Sequence, residues 1–261
     1  MLTLPVSEAL TLRLYDSIKE LPTWLHLEAR QYAILQSALA TTAEELSRRG
    51  ERLALLEQYG LKAEHQLESY NYQLSARLLA EGYNPYELEW ACYLQAINDS
   101  PLGDYSEDEL VARLTRLKQQ GLAGSVIESS LASIKQRLLV ETKRYYPRRL
   151  GSGHYNQLQR QKSYALALAA YYESASEAAV QALEGALLSV LRSEPPVNLL
   201  DGPGNGLVSL EKSQFRLYTS LSESGCPAPD QLSVYAFYGW IEVLEERYER
   251  QQAALHKPNS N

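Results

Sequence analysis

From Thr23 onward apolar residues recur every three to four positions, and polar caps and glycines cut the recurrence into segments of helical length. Thr23 opens a run carrying Trp24, Leu27, Tyr32, Ile34, Leu35 and Leu39. Thr42 to Glu45 has the spacing of a capping box, in which a hydroxyl and a carboxylate satisfy each other's helix-end amides, and the helix it starts ends near Gly60. Between Leu61 and Ala80 the spacing of Leu67, Tyr70, Leu74 and Leu78 predicts one apolar face. Asn84-Pro85 is a strong start signal, because Asn caps and Pro is tolerated at the first helical position; the pattern carries this helix through Trp90, Cys92, Leu94 and Ile97 to Asn98. Ser106 and Glu109 open a helix that Gly121 stops, and Ser125 and Glu128 open another, with Ile127, Leu131, Ile134, Leu138 and Tyr145, that Pro147 ends. His154 to Arg192 reads as one long helix or as two broken near Ser174 to Glu177. After Pro195-Pro196 and the glycine-rich stretch from Asp201 to Gly206 come two more helices, near Ser209 to Glu223 and Asp230 to Ala254.

No strand pair with hairpin chemistry and no repeat of 20 to 50 residues stands out. The expected fold is all-α, a multi-helix bundle with one or two long helices and a C-terminal helical pair. The expected organisation is a helical body over 1–194, a Pro/Gly-rich linker or loop over 195–208, and the pair over 209–261, packed on the body or beside it.

Composition adds little except in one place. The chain has 261 residues, a net charge of −7 and 45% apolar content, enough for a sizeable core without staples. Two distant cysteines, Cys92 and Cys226, make no disulfide framework and suit a reducing compartment. The opening MLTLPVSEAL lacks the basic and apolar regions of a secretory signal, and Glu173, Glu177 and Glu184 interrupt the most apolar stretch, so no membrane span is expected. The expected location is cytoplasmic, or within a phage-like particle. Tyrosine, at 19 against 2 Phe and 3 Trp, keeps a polar tip on a buried ring and suits half-buried faces and interfaces. The exceptional segment is Lys135 to Lys162, with eight Lys/Arg and one acid, Glu141, in an otherwise acidic chain.

Reactive chemistry is hard to find. The four histidines and two cysteines are scattered, and the residues three before His26 and His65 are Thr23 and Lys62, not the Glu of a di-iron bundle. Asp201 to Gly206 lacks the Gly-Lys-Ser/Thr ending of a phosphate-cradling loop, and Gly151-Ser152-Gly153 follows no strand. Glu64 and Glu68 flank His65 one turn apart, a pattern common on solvated faces. No catalytic, cofactor or metal residues are assigned, and an enzyme is not expected; a site assembled only by folding is the alternative that sequence leaves open. The basic, tyrosine-bearing segment supplies the candidate partner-binding residues Lys143, Arg144, Tyr145, Tyr146, Arg148, Arg149, His154 and Tyr155. Protein partners, in a homo- or hetero-oligomer, are the first expectation. Nucleic acid bound through 135–162 is the second, with cations on phosphates and rings under bases.

The run Leu14 to Pro22, LYDSIKELP, followed in order by Pro85 to Ile97, Ser106 to Leu117, Glu141 to Pro147 and Tyr155 to Leu158, resembles an uncharacterised helical family of phages and prophages of Bacteroidetes-type bacteria. The resemblance spans about residues 11–170, and Gln31 to Ser37 lacks the Asn-Lys pair associated with the family's first helix. It brings no catalytic residues. What it implies is a phage or mobile-element setting, such as a component of a phage-like particle; the function expected from the chain as a whole is that of a non-catalytic structural or adaptor protein assembling with protein partners.

Overall fold

The computed structural model describes residues 1–149, 153–193 and 195–255, with the side chains at 153–158, 254 and 255 excepted. In chain order the elements are strands β1 (Leu2–Ser7) and β2 (Leu10–Leu14), helices α1 (Thr23–Ala38), α2 (Ala43–Gln58), α3 (Lys62–Ala80) and α4 (Pro85–Cys92), and strands β3 (Leu94–Ile97) and β4 (Ser100–Pro101). Helices α5 (Glu107–Gln119), α6 (Gly124–Tyr145), α7 (Gly153–Glu173), α8 (Glu177–Ser193), α9 (Gly206–Glu223) and α10 (Val234–Leu255) follow. Helix accounts for 70%, so the all-α expectation holds coarsely and fails in detail: four short strands form an antiparallel sheet in the order β1-β2-β3-β4.

The sheet escaped the sequence because its turns are short and atypical. Both hairpins turn on two residues, Glu8-Ala9 and Asn98-Asp99, neither containing glycine. Asn98 and Asp99 take left-handed backbone, φ 47° and 64°, the geometry of a type I′ turn, whereas Glu8 and Ala9 do not. Asn98 also joins the two hairpins: its side-chain oxygen accepts from the Thr11 amide (2.8 Å) and its side-chain nitrogen donates to the Ala9 carbonyl (2.9 Å). The helix expected to reach Asn98 therefore stops at Cys92, and Leu94 and Ala96 turn inward as strand residues while Gln95 and Ile97 stay half-buried.

The chain divides into two compact units. Unit 1 comprises Met1–Leu35, Asn84–Pro147 and, of the described residues, 207–255; unit 2 comprises Gln36–Tyr83 and Arg148–Gly206. The core of unit 1 is built from the inward residues of β2 and β3 (Leu10, Leu12, Leu14, Leu94), from Leu25, Leu88 and Trp90, and from the stripes Leu110/Leu114/Leu117 and Ile127/Leu131/Ile134/Leu138. Trp90 is fully buried, and its indole N–H donates to Ser130 (2.8 Å), which ties α4 to α6. The C-terminal pair belongs to this unit: Thr23 N–H donates to the Leu232 carbonyl, Val234 N–H to Leu21, and Leu221, Cys226, Phe237 and Ile241 form one cluster.

Unit 2 is two helical hairpins. In the first, Thr42 accepts from the Glu45 amide (3.2 Å) while the Glu45 carboxylate accepts from the Thr41 amide (2.7 Å), and Gly60, at φ 66°, makes the turn from α2 to α3. In the second, α7 and α8 are separate helices joined at Ser174–Ser176, which decides between the one-helix and two-helix readings.

Candidate functional site

The candidate residues at the end of α6 divide into internal and external ones. Tyr146 is buried: its hydroxyl donates to the Tyr235 carbonyl (2.7 Å), its ring contacts Tyr235 and Tyr238, and burial pushes its pKa up to about 12. Tyr145 packs edge-on against Tyr235 and lies beneath Lys19, whose hydrogen bond draws the phenol pKa down. These rings bind unit 1 to itself and are not free for a partner, because a half-buried tyrosine at a helix end satisfies an internal face as well as an external one. Lys143 and Arg144 stay exposed. In unit 2, Arg148 is exposed and Arg149 half-buried. His154 and Tyr155 lie in the first turn of α7, and their side chains fall outside the described residues.

Two earlier cations of the basic segment have structural work. Lys135 pairs at 2.6 Å with Glu89, which is 2% exposed, and Arg137 pairs with the fully buried Asp16. The single acid of the segment, Glu141, accepts from the Ser17 hydroxyl (2.8 Å) and the Ile18 amide (2.9 Å). Part of the local positive excess thus answers carboxylates that the fold of unit 1 takes out of water.

Sequence reasoning also missed a polar seam in unit 2. On α3 the expected apolar face, Leu67, Tyr70, Leu74 and Leu78, is only half-buried, and the buried positions are Glu68, Asn71 and Ser75. Glu68 accepts from Arg49 (2.9 Å) and lies 3.7 Å from Arg52; Asn71 donates to the Val197 carbonyl (2.9 Å); Ser75 accepts from the Ala40 amide (2.9 Å). The i, i+3, i+7 spacing of these polar residues was visible, but nothing local distinguishes it from a wet face. The solvated-face reading of Glu64 and Glu68 therefore fails at Glu68. Nearby, Arg48, Arg49 and Arg52 line an open cleft with Leu55, Tyr164, Leu187 and Leu191. Its guanidiniums already face Glu44 and Glu68, which lessens its pull on an external anion.

The α7–α8 hairpin has the opposite character. Leu191 is its one residue buried among those described, while Leu166, Tyr172 and Val180 are 61%, 79% and 36% exposed. Among the described residues, the buried apolar ones in unit 2 are Ala38, Leu39, Ala40, Leu56, Leu191 and Leu199. An apolar helix pair with so little cover is the feature of this molecule most suited to meeting another chain.

Reactive groups are few. Burial pushes both thiols up, Cys92 strongly, away from the thiolate a nucleophile needs. His26, with its ring Nδ1 shut from solvent and without a hydrogen-bond partner among the described residues, has its pKa pulled down to about 4 by burial and by Arg30. Among the described residues no cluster of three or more His, Cys, Asp or Glu could hold a metal ion, and no helix is long and apolar enough to cross a membrane. The Asp201–Gly206 loop is held by Asn198 and Asn205, whose side chains bond the backbone at Leu199 and Leu200, while Asp201 itself stays exposed. No protein-family model matches the chain, and no curated protein or solved structure proves similar to it.

Proposed function

We propose that this protein is a non-catalytic structural or adaptor subunit that works by assembling with other protein chains. One observation carries the reading: the α7–α8 hairpin turns Leu166, Tyr172 and Val180 to solvent while unit 2 buries few apolar side chains of its own. The exposed cations Lys143, Arg144 and Arg148 supply charge that would steer an acidic partner. The alternative of nucleic-acid binding is weakened, since it asks Tyr145 and Tyr146 to stack on bases and those rings pack against Tyr235.

The test is a purification from the native host at low salt, followed by light scattering, with wild type beside Leu166→Glu/Tyr172→Glu. A stoichiometric protein complex that this double substitution dissolves, with helical circular dichroism unchanged, supports the proposal. Monomers alone, in lysate and in purified form, overturn it. The prophage setting rests on the short motifs from Leu14 to Leu158 and is tested by gene neighbourhood: flanking capsid, portal or tail genes support it, and a locus without them removes it.

A further inference from the structure

The outer face of α7 carries a line of four residues spaced i, i+4, i+7 and i+11: Lys162, Leu166, Ala169 and Glu173. At about 100° per residue they fall within a narrow arc, opposite the half-buried Tyr164, Ala167 and Tyr171. All four are exposed, and among the described residues Lys162 and Glu173 form no ion pair. The line is cationic at one end, apolar in the middle and anionic at the other.

Such a line is complementary to itself only when reversed. A two-fold axis passing between Ala167 and Leu168 places Lys162 level with Glu173 of a second copy and Leu166 level with Ala169 of that copy, so each large apolar side chain meets a small one. A parallel copy would set Lys against Lys and Glu against Glu. The hairpin as a whole has the same polarity, with Glu173 and Glu177 at its tip and Arg160 and Arg192 at its base. Resting on the assembly reading above, we infer that the partner is a second copy of this chain, docked through antiparallel α7 helices with Lys162 and Glu173 paired at both ends of the contact. An unrelated partner would need charge complementarity to α7, whereas only a second copy makes use of the mirror order of charges along it.

A single helix face of this length buries roughly 1,000 Å² in total, the lower edge of specific interfaces, so the dimer should dissociate in the micromolar range. The experiment is sedimentation equilibrium of the purified full chain over roughly 1–500 µM. The expected mass rises from 29.4 kDa toward twice that value. Because each pair occurs twice, Lys162→Glu and Glu173→Lys should each weaken the dimer about tenfold, and the double variant Lys162→Glu/Glu173→Lys should restore it to within a few-fold of wild type. Far-ultraviolet circular dichroism of each variant confirms that α7 stays helical. A dimer whose affinity ignores both single variants, or that the double variant fails to restore, overturns the antiparallel α7 pairing. A chain that stays monomeric when pure but forms a stoichiometric complex with a different protein overturns self-pairing and leaves the assembly reading standing. Monomers in both settings end both.

Discussion

His26 gives the sharpest test of how unit 1 is built. Its imidazole is held neutral because Nδ1 is cut off from water and Arg30 lies nearby, so its folded pKa is about 4 against a reference of 6.5. The unfolded chain therefore binds the proton first as the pH falls. Between pH 6.5 and 4 stability declines, and above 6.5 this group has no effect. The shift corresponds to a loss of about 2 kcal/mol at pH 5 and about 3 kcal/mol below pH 4 if the ring stays wholly dry. His26 keeps a partly exposed edge, so screening brings the loss at pH 5 down to between about 1 and 2 kcal/mol. The substitution His26→Phe keeps a planar ring and removes the titration. Urea unfolding at pH 5, 6 and 7.5, followed by tryptophan fluorescence, isolates the effect, since Trp24, Trp90 and Trp240 all belong to unit 1. The difference between variant and wild type should shrink or reverse in the variant's favour by about 1 to 2 kcal/mol between pH 7.5 and pH 5. Parallel pH dependence of the two proteins would refute the claim that the fold keeps this ring uncharged.

Three further outcomes follow from the same geometry. Glu68→Ala strips Arg49 of its buried partner and should cost about 3 kcal/mol or more, seen as a lowered helix-melting midpoint by circular dichroism with little change in tryptophan signal, because unit 2 contains no tryptophan. Asn98→Ala puts alanine at φ 47° and removes two side-chain hydrogen bonds; chemical unfolding should show a loss of about 1 to 2 kcal/mol, and Asn98→Gly a smaller one. Tyr146→Phe removes the hydroxyl's hydrogen bond to the Tyr235 carbonyl and should lower stability by about 1 kcal/mol without affecting association, whereas a Tyr146 that served a partner would change association and leave stability alone.

What the sequence disclosed and what it hid follow from range. Caps and stops act within one turn of chain, so Thr42 and Asn84 as helix starts, and Gly60 and Gly121 as stops, were legible and stand in the structure. Ser125 shows the limit: its helix begins at Gly124 after Ala123, with no side-chain cap. The sheet was illegible because β2 finds β3 some 80 residues later, and no Gly or Asn-Gly pair announces either turn. The seam on α3 was illegible for a related reason. Glu68, Asn71 and Ser75 become interior residues only once Arg49, Val197 and Ala40 arrive to satisfy them, and none of these lies within the helix. The basic segment was visible as composition, but the division of its residues between inward and outward tasks depends on Asp16, Glu89 and Tyr235, all distant in sequence.

That division can itself be tested, and it decides whether charge in this segment serves folding or docking. Lys135 and Arg137 pair with carboxylates of unit 1 that are 2% and 0% exposed, so Lys135→Gln/Arg137→Gln removes one cation from beside each of two buried acids. Both cations are themselves well exposed, and water weakens each pair accordingly; the combined cost is about 1 to 3 kcal/mol. Lys143→Gln/Arg144→Gln removes the same formal charge from the same helix but touches no buried acid, and should leave the tryptophan-monitored unfolding midpoint of unit 1 in place. The two doubles change net charge equally, which removes overall electrostatic repulsion as an explanation for any difference between them. Equal tolerance of both would mean that the pairs with Asp16 and Glu89 contribute nothing, and that the cationic excess of α6 belongs entirely to its outer surface.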